Sequence, residues 1–271
     1  MSLDFAALWG TIQGLSIQGR VAMVGIAIAL VVERARPIER RHTWAGRTRN
    51  VIYTIAFFVI GDRLIGLMLT AYTPRFTGRL DPSIGGRIVW VVSYLLIWDL
   101  VYYWYHRAQH RWQWLWAIHE LHHSDTEVNV TTSLRTHPIE KPIQLVLLIY
   151  LPLTILGVEP SALVWAFTVG MVWEAFAHVN VRLNLGLLTP VLCGPLVHRV
   201  HHSREPRHRD TNFAQYFTFY DVLFGTYRAP TPGEVPDTGT DDLRSNAFVV
   251  SALLRPFRLW GRQLAAPLTR R

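Results

Sequence analysis

Cysteine is almost absent from the chain. Cys193 stands alone among 271 residues, which excludes an intrachain disulfide and any thiolate cage for zinc or an iron–sulfur cluster. Lysine is equally scarce: Lys141 is its only instance among 27 basic residues, so the net charge of +8 is carried by arginine. No cleaved leader is expected, because Asp4 sits where positive charge belongs and no small-residue cleavage site follows the first apolar run. Internal repeats and low-complexity tracts are missing too.

Apolar and aromatic residues, by contrast, are abundant. Half of the chain is hydrophobic, with 11 Trp, 10 Tyr and 12 Phe, a composition that suits a membrane protein. The arginines are interleaved with apolar runs instead of forming one solvated face, so lipid headgroups suit them as counter-ions better than nucleic acid. About 20 apolar residues cross a bilayer, and runs of that kind lie at 12–33, 51–73 and 88–105, followed by a pair at 143–156 and 161–178. Gly157-Val158-Glu159-Pro160 supplies a helix stop and a restart, so the pair reads as a hairpin whose first arm is short for a crossing. Six arginines between Arg34 and Arg49 place the first loop in the cytoplasm. Counting onward, residues 106–142 and everything after 178 share that side. Asp62 and Arg63 interrupt the second run, either as a paired couple facing the bundle or as a sign that its limits are misdrawn. Thr231–Asp242 reads as an exposed loop. The last segment, from Phe248 to Leu264, sets Arg255, Arg258 and Arg262 among apolar residues, either to lie on the membrane surface or to pack as a helix.

Of 12 histidines, eight fall in three tight groups: His106 and His110; His119, His122 and His123; His198, His201 and His202. On a helix, residues three or four apart project from one face, which lets neighbouring imidazoles converge on one ion. Imidazole suits iron, zinc, copper and nickel, and eight ligands exceed what one ion holds, so two ions are expected. Spacing does not separate iron from zinc. A redox-active pair beside a bilayer points to dioxygen chemistry. His42 and His208 have no partner at ligand spacing.

The motifs Tyr103-Trp104-Tyr105-His106-Arg107-Ala108-Gln109-His110, Trp116-Ala117-Ile118-His119-Glu120-Leu121-His122-His123-Ser124 and His198-Arg199-Val200-His201-His202-Ser203 go together with Asn212 and Asp221-Val222-Leu223-Phe224-Gly225-Thr226. In order, spacing and flanking residues this set resembles the fatty acid hydroxylase and sterol desaturase superfamily of membrane di-iron enzymes, over about residues 90–228. The resemblance implies an all-α integral membrane bundle of four to five helices with a cytosolic histidine-rich cap, forming one domain over 1–271, with residues 229–271 as a C-terminal loop and amphipathic segment. It adds His178 as a further metal ligand. Where some relatives carry another histidine, this chain has Glu174, which either binds metal or orients a ligand. His137, in Arg135-Thr136-His137-Pro138, reaches the site if its loop folds back; otherwise it is a turn residue. Asp99, two helical turns before His106 on the same face, is placed to accept a proton from a ligand imidazole.

What the resemblance implies chemically is activation of O2 at two irons to hydroxylate a lipid-like substrate entering from the membrane: fatty acyl, sterol, ether lipid or carotenoid. The chain shows no dinucleotide-binding glycine motif, no cysteine set and no fused haem domain, so a separate reductase, ferredoxin or cytochrome is expected as electron donor. A lipid desaturase or cleaving oxygenase would share every motif. A non-catalytic metal-binding or transport protein would instead spread histidines along a pore.

Overall fold

A computed structural model describes residues 21, 24–39, 43–71, 83–157 and 164–265. Among these the architecture is helical, with no strand beyond two isolated bridges, Pro37 with Val181 and Ser203 with Thr238. Helix α1 covers 24–35, α2 Trp44–Ala71, α3 Ile84–Arg111 and α4 Gln113–His123. A helix at 140–156, α5, contains a π-helical stretch, Leu145–Tyr150. There follow α6 Val164–Ala177, α7 Pro195–His201, α8 Phe219–Phe224, α9 Val249–Leu253 and α10 Arg255–Ala265.

Among the described residues two helices have the length and composition to cross a membrane, over Trp44–Leu69 and Ile88–Arg111, and Ala166–Ala177 is a shorter apolar helix. The second and third expected runs are therefore helical and longer than their apolar cores. Half of the first, and the hairpin turn after Gly157, lie outside the described residues. Gly157 itself closes α5 at φ 68°, a left-handed conformation that glycine adopts without a Cβ clash.

Local chemistry explains several element boundaries. The Ser83 side chain accepts from the Gly86 amide and caps α3. Trp112, extended at φ −107° and ψ 119°, breaks α3 from α4, so two histidine groups sit on either side of one bend. In α5, Pro152 has no N–H to offer the Leu148 carbonyl, and the Tyr94 hydroxyl donates to that oxygen from α3 at 3.1 Å.

Asp62 is one half of a couple: Lys141 of α5 donates to its carboxylate at 2.6 Å. Gly61 makes this possible, because a Cβ there would stand 2.6 Å from the Lys141 chain. The ammonium also lies over the rings of Phe57 and Phe58.

A buried polar knot fastens the end of α4 to α2. Arg135 donates to the Leu121 carbonyl, the Ser124 hydroxyl and Asn50, whose amide donates to Asp125, and the guanidinium covers the Tyr53 ring. Glu33 of α1 likewise accepts from the amides of Val130 and Asn180 and pairs with Arg47.

The segment read as an exposed loop is partly buried. The Arg204 amide donates to the Asp237 carbonyl and the Gly239 amide to the His202 carbonyl, so this stretch straps the third histidine group. The amphipathic C-terminal helix packs on α4: Arg255 pairs with Glu120, and the Trp260 indole donates to the Trp114 carbonyl at 3.1 Å. Leu254, Phe257 and Leu264 remain exposed on its outer face.

Candidate metal centre

The structure gathers nine imidazoles into two sets. His106, His110, His119, His123 and His201 each bring one ring nitrogen within 4.8 Å of the others, and so do His122, His178, His198 and His202. Helical geometry explains the division. Residues four apart share a face while neighbours diverge by about 100°. His119 and His123 therefore enter the first set and His122 the second. Helix α7 does the reverse, with His198 joining His202 in the second set and His201 in the first. His106 and His110 come from the last turns of α3, and His178 follows the end of α6.

Within each set the Nε2 atoms face one another. His123 Nε2 lies 3.1 Å from both His110 Nε2 and His201 Nε2. In the second set His198 Nε2 lies 3.0 Å from His178 Nε2 and 3.2 Å from His202 Nε2, and His178 Nε2 lies 3.3 Å from His122 Nε2. Three imidazoles carry their proton elsewhere. The Nδ1–H of His106 donates to the Phe213 carbonyl, that of His178 to the Glu174 carbonyl and that of His201 to the Thr211 carbonyl, each at 2.8 Å. A carbonyl only accepts, so in a neutral ring Nε2 is left as a bare lone pair. A buried nitrogen lone pair needs an N–H or a cation to satisfy it, and these three lie among further imidazole nitrogens. An imidazole nitrogen sits about 2.0–2.1 Å from a bound zinc ion. Adjacent ligand nitrogens are then about 3.0 Å apart in octahedral and about 3.4 Å in tetrahedral coordination, and the observed separations fall in that range.

Protonation points the same way. Burial holds His119, His122, His123, His198, His201 and His202 well below the ordinary imidazole value, in the neutral form that binds metal. Buried ring nitrogens without a hydrogen-bond partner include His106 Nε2 and both nitrogens of His119. The residues present thus fit two divalent transition-metal ions.

The remaining sequence candidates lie elsewhere. His137 stands outside both sets; its Nε2 donates to the Leu253 carbonyl at 2.9 Å, tying the loop to α9. Glu174 contributes its backbone carbonyl to His178, while its carboxylate belongs to neither set. Asp99 takes no imidazole proton; its carboxylate accepts from the amides of Gln215, Tyr216 and Phe217 at 2.8, 3.1 and 2.6 Å. His208 is buried beside Glu205 and Glu234, but Arg207 pairs with both acids, so that cluster is already charge-compensated.

Sequence reasoning missed several orienting groups. Asp221 accepts from the amides of Phe213 and Ala214. Asp210 lies 3.7 Å from His110 Nδ1, and Glu140, buried and bonded to Gln109 at 2.6 Å, lies 3.7 Å from His119 Nδ1. A cavity of about 310 Å³ reaches His110, His123 and His201 past Trp116, Arg204 and Asp242.

Two membrane-length helices, one of them ending in His106 and His110, together with two buried imidazole sets define a class of helical membrane-type proteins built around a histidine-rich centre. The chain belongs to the fatty acid hydroxylase family, whose model matches residues 91–226, half of the chain and all nine of these histidines. It is 31% identical to alkylglycerol monooxygenase of Xenopus tropicalis over 59% of this chain and 40% of that protein. It is 26% identical to the ornithine lipid hydroxylase OlsE of Rhizobium tropici over 96% of this chain and 79% of that protein. It is also 31% identical to the Delta(7)-sterol 5(6)-desaturase ERG3A of Gibberella zeae over 51% and 37% respectively. The chain therefore spans well under half the length of the alkylglycerol monooxygenases it matches. No solved structure matches it.

Proposed function

We propose that this chain is an integral membrane oxygenase that holds two iron ions on the nine imidazoles and hydroxylates a lipid, with the metal site on the cytoplasmic side. The observation that carries the reading is the convergence of nine buried imidazoles into two adjacent sets, with the Nε2 atoms of His106, His178 and His201 left as lone pairs. His106, His110, His119, His123 and His201 hold one ion, and His122, His178, His198 and His202 the other. When bound, the iron pair supplies the activation of dioxygen. In the overall balance one oxygen atom enters a C–H bond to give an alcohol. The other leaves as water, with two protons and two electrons from a separate ferredoxin, cytochrome or reductase.

The chain's own groups position and insulate this centre. The carbonyls of Phe213, Glu174 and Thr211 fix three tautomers, and burial keeps the rings neutral and the site dry. The polar cavity beside His110, His123 and His201 is the approach from water for dioxygen, protons and the electron donor. Clustering at one end of the helices, instead of along a pore, favours an enzyme over a transporter.

The relatives' names, alkylglycerol monooxygenase and ornithine lipid hydroxylase, support hydroxylation of a polar lipid; the sterol desaturase supports dehydrogenation as the second reading. Untargeted mass analysis of lipids from cells with and without the gene tests both. Gain of one oxygen supports hydroxylation and loss of two hydrogens supports desaturation. An unchanged lipid profile with a reducible, iron-loaded protein contradicts the oxygenase reading.

A further inference from the structure

Beside the five-histidine set lies a second cavity, an amphipathic groove of about 620 Å³ lined by Trp104, Arg107, Arg111, Trp112, Asp210 and Phe213, among others. Residues 104, 107 and 111 form a stripe on α3 turned away from His106 and His110. The volume is that of a small-molecule site. Its outer edge is apolar and open: Trp104 is 49% and Trp112 61% exposed. Val222 and Leu223 of α8 are exposed as well, and α8 reaches Trp104 through the Phe224 ring, 5.0 Å away. Indoles and arginines at the end of a membrane-length helix mark the depth of lipid headgroups.

Charge and walls narrow the occupant. Arg107 stacks 5.5 Å from the Trp104 ring and donates to the Tyr103 hydroxyl at 3.0 Å. The acid lining the groove, Asp210, is directed at His110 and also feels the charge of Arg111. Asp221 also feels the charge of Arg107, but its oxygens are taken by the Phe213 and Ala214 amides and it does not line the groove, so two guanidinium groups face one engaged carboxylate there. On its inner side Phe213, 2% exposed, places its ring 5.2 Å from His110 and 5.6 Å from His106. Phe213 and Asp210 are thus the lining side chains that also meet the histidines.

We propose that the groove is the headgroup end of the substrate site and takes a long-chain amphiphile bearing an acidic group, phosphate or carboxylate. This rests on the oxygenase reading. Arg107 and Arg111 hold the acidic group by charge-assisted hydrogen bonds, a task suited to planar guanidinium. The indoles flank the headgroup at the outer edge, and the hydrocarbon chain turns inward past the Phe213 ring, which sets which carbon comes to rest against the five histidines.

The test is native mass spectrometry of the full metal-loaded chain released from phosphatidylcholine nanodiscs doped with dioleoylphosphatidylglycerol or with oleate. One acidic lipid is expected to stay bound while phosphatidylcholine is lost. Retention of the phosphatidylglycerol alone assigns a phosphate site, of oleate alone a carboxylate site, and of both a general acid site. Arg111→Gln is expected to weaken retention about tenfold or more with two metals still bound. Phe213→Leu is expected to move the position of oxygen insertion along the chain. Equal retention of phosphatidylcholine overturns the proposal. So does undiminished retention in a folded, metal-loaded Arg107→Gln/Arg111→Gln protein. Arginine-dependent retention without any lipid oxidation sinks the oxygenase reading and leaves the acidic-lipid site standing.

Discussion

Asp99 and Asp221 divide five consecutive backbone amides between them: Asp221 accepts from residues 213 and 214, and Asp99 from 215, 216 and 217. Together they shape the segment whose Phe213 carbonyl holds His106 Nδ1. Two carboxylates far apart in sequence thus act on a metal-facing imidazole through the main chain.

Asparagine at either position offers one acceptor where two or three amides converge, and it turns an N–H toward them. Asp221→Asn is expected to cost about 1–3 kcal/mol of stability and to lower metal content. Thermal unfolding with metal analysis checks this; wild-type values in both would contradict the clamp.

The two sets separate the effects of single histidines. His178→Ala is expected to leave one ion per chain and abolish lipid oxidation, with His201→Ala acting likewise on the other set. His137→Ala, which removes only the bond to Leu253, is expected to retain both ions and lose about 0.5–1.5 kcal/mol of stability. Equal metal loss from all three would reject the division.

That eight imidazoles would gather was legible from their helical spacing, but the split of the second and third groups between two sets was not. His178 was reached only by resemblance, since no neighbour in sequence points to it. Phe213 and Thr211 were not legible: they work through backbone carbonyls, and the pairing of His106 with Phe213 spans 107 residues; Asp221 was noticed in a motif, but not its hold on the Phe213 and Ala214 amides. Asp99 was noticed for its place one face-repeat before His106, but the 213–217 segment lies against it and takes its oxygens. The Leu148 carbonyl that Pro152 leaves free is taken up by Tyr94 of another helix, a contact no local pattern shows. Asp62 and Arg63 were left open between a bundle-facing couple and a misdrawn limit; Asp62 instead pairs with Lys141, 79 residues on, and its side chain is 63% exposed.

Glu140→Gln removes the carboxylate charge facing His119 while leaving an amide oxygen to accept from Gln109. Metal affinity is expected to fall about 10–100-fold, as when an orienting partner of a ligand is lost. Competition with a chelator measures this, and an unchanged affinity would assign Glu140 to packing alone.

Burial depresses the imidazoles of His119, His122, His123, His198, His201 and His202 from their ordinary 6.5. In the metal-free protein the unfolded chain therefore binds more protons below that value than the folded chain does. Stability is greatest above 6.5 and falls as the pH drops, by up to about 1.4 kcal/mol per pH unit for each such ring. Denaturant melts of apoprotein between about pH 7.5 and about pH 5 are expected to slope steeply. A flat profile would contradict neutral burial.

The central claim is tested most directly by quantifying iron, together with X-ray absorption, on the full chain purified and loaded without oxygen. Two irons per chain with imidazole nitrogen as the dominant ligand are expected, falling to one in His178→Ala. A chain that takes up one iron or none, or binds it chiefly through sulfur, would contradict the account.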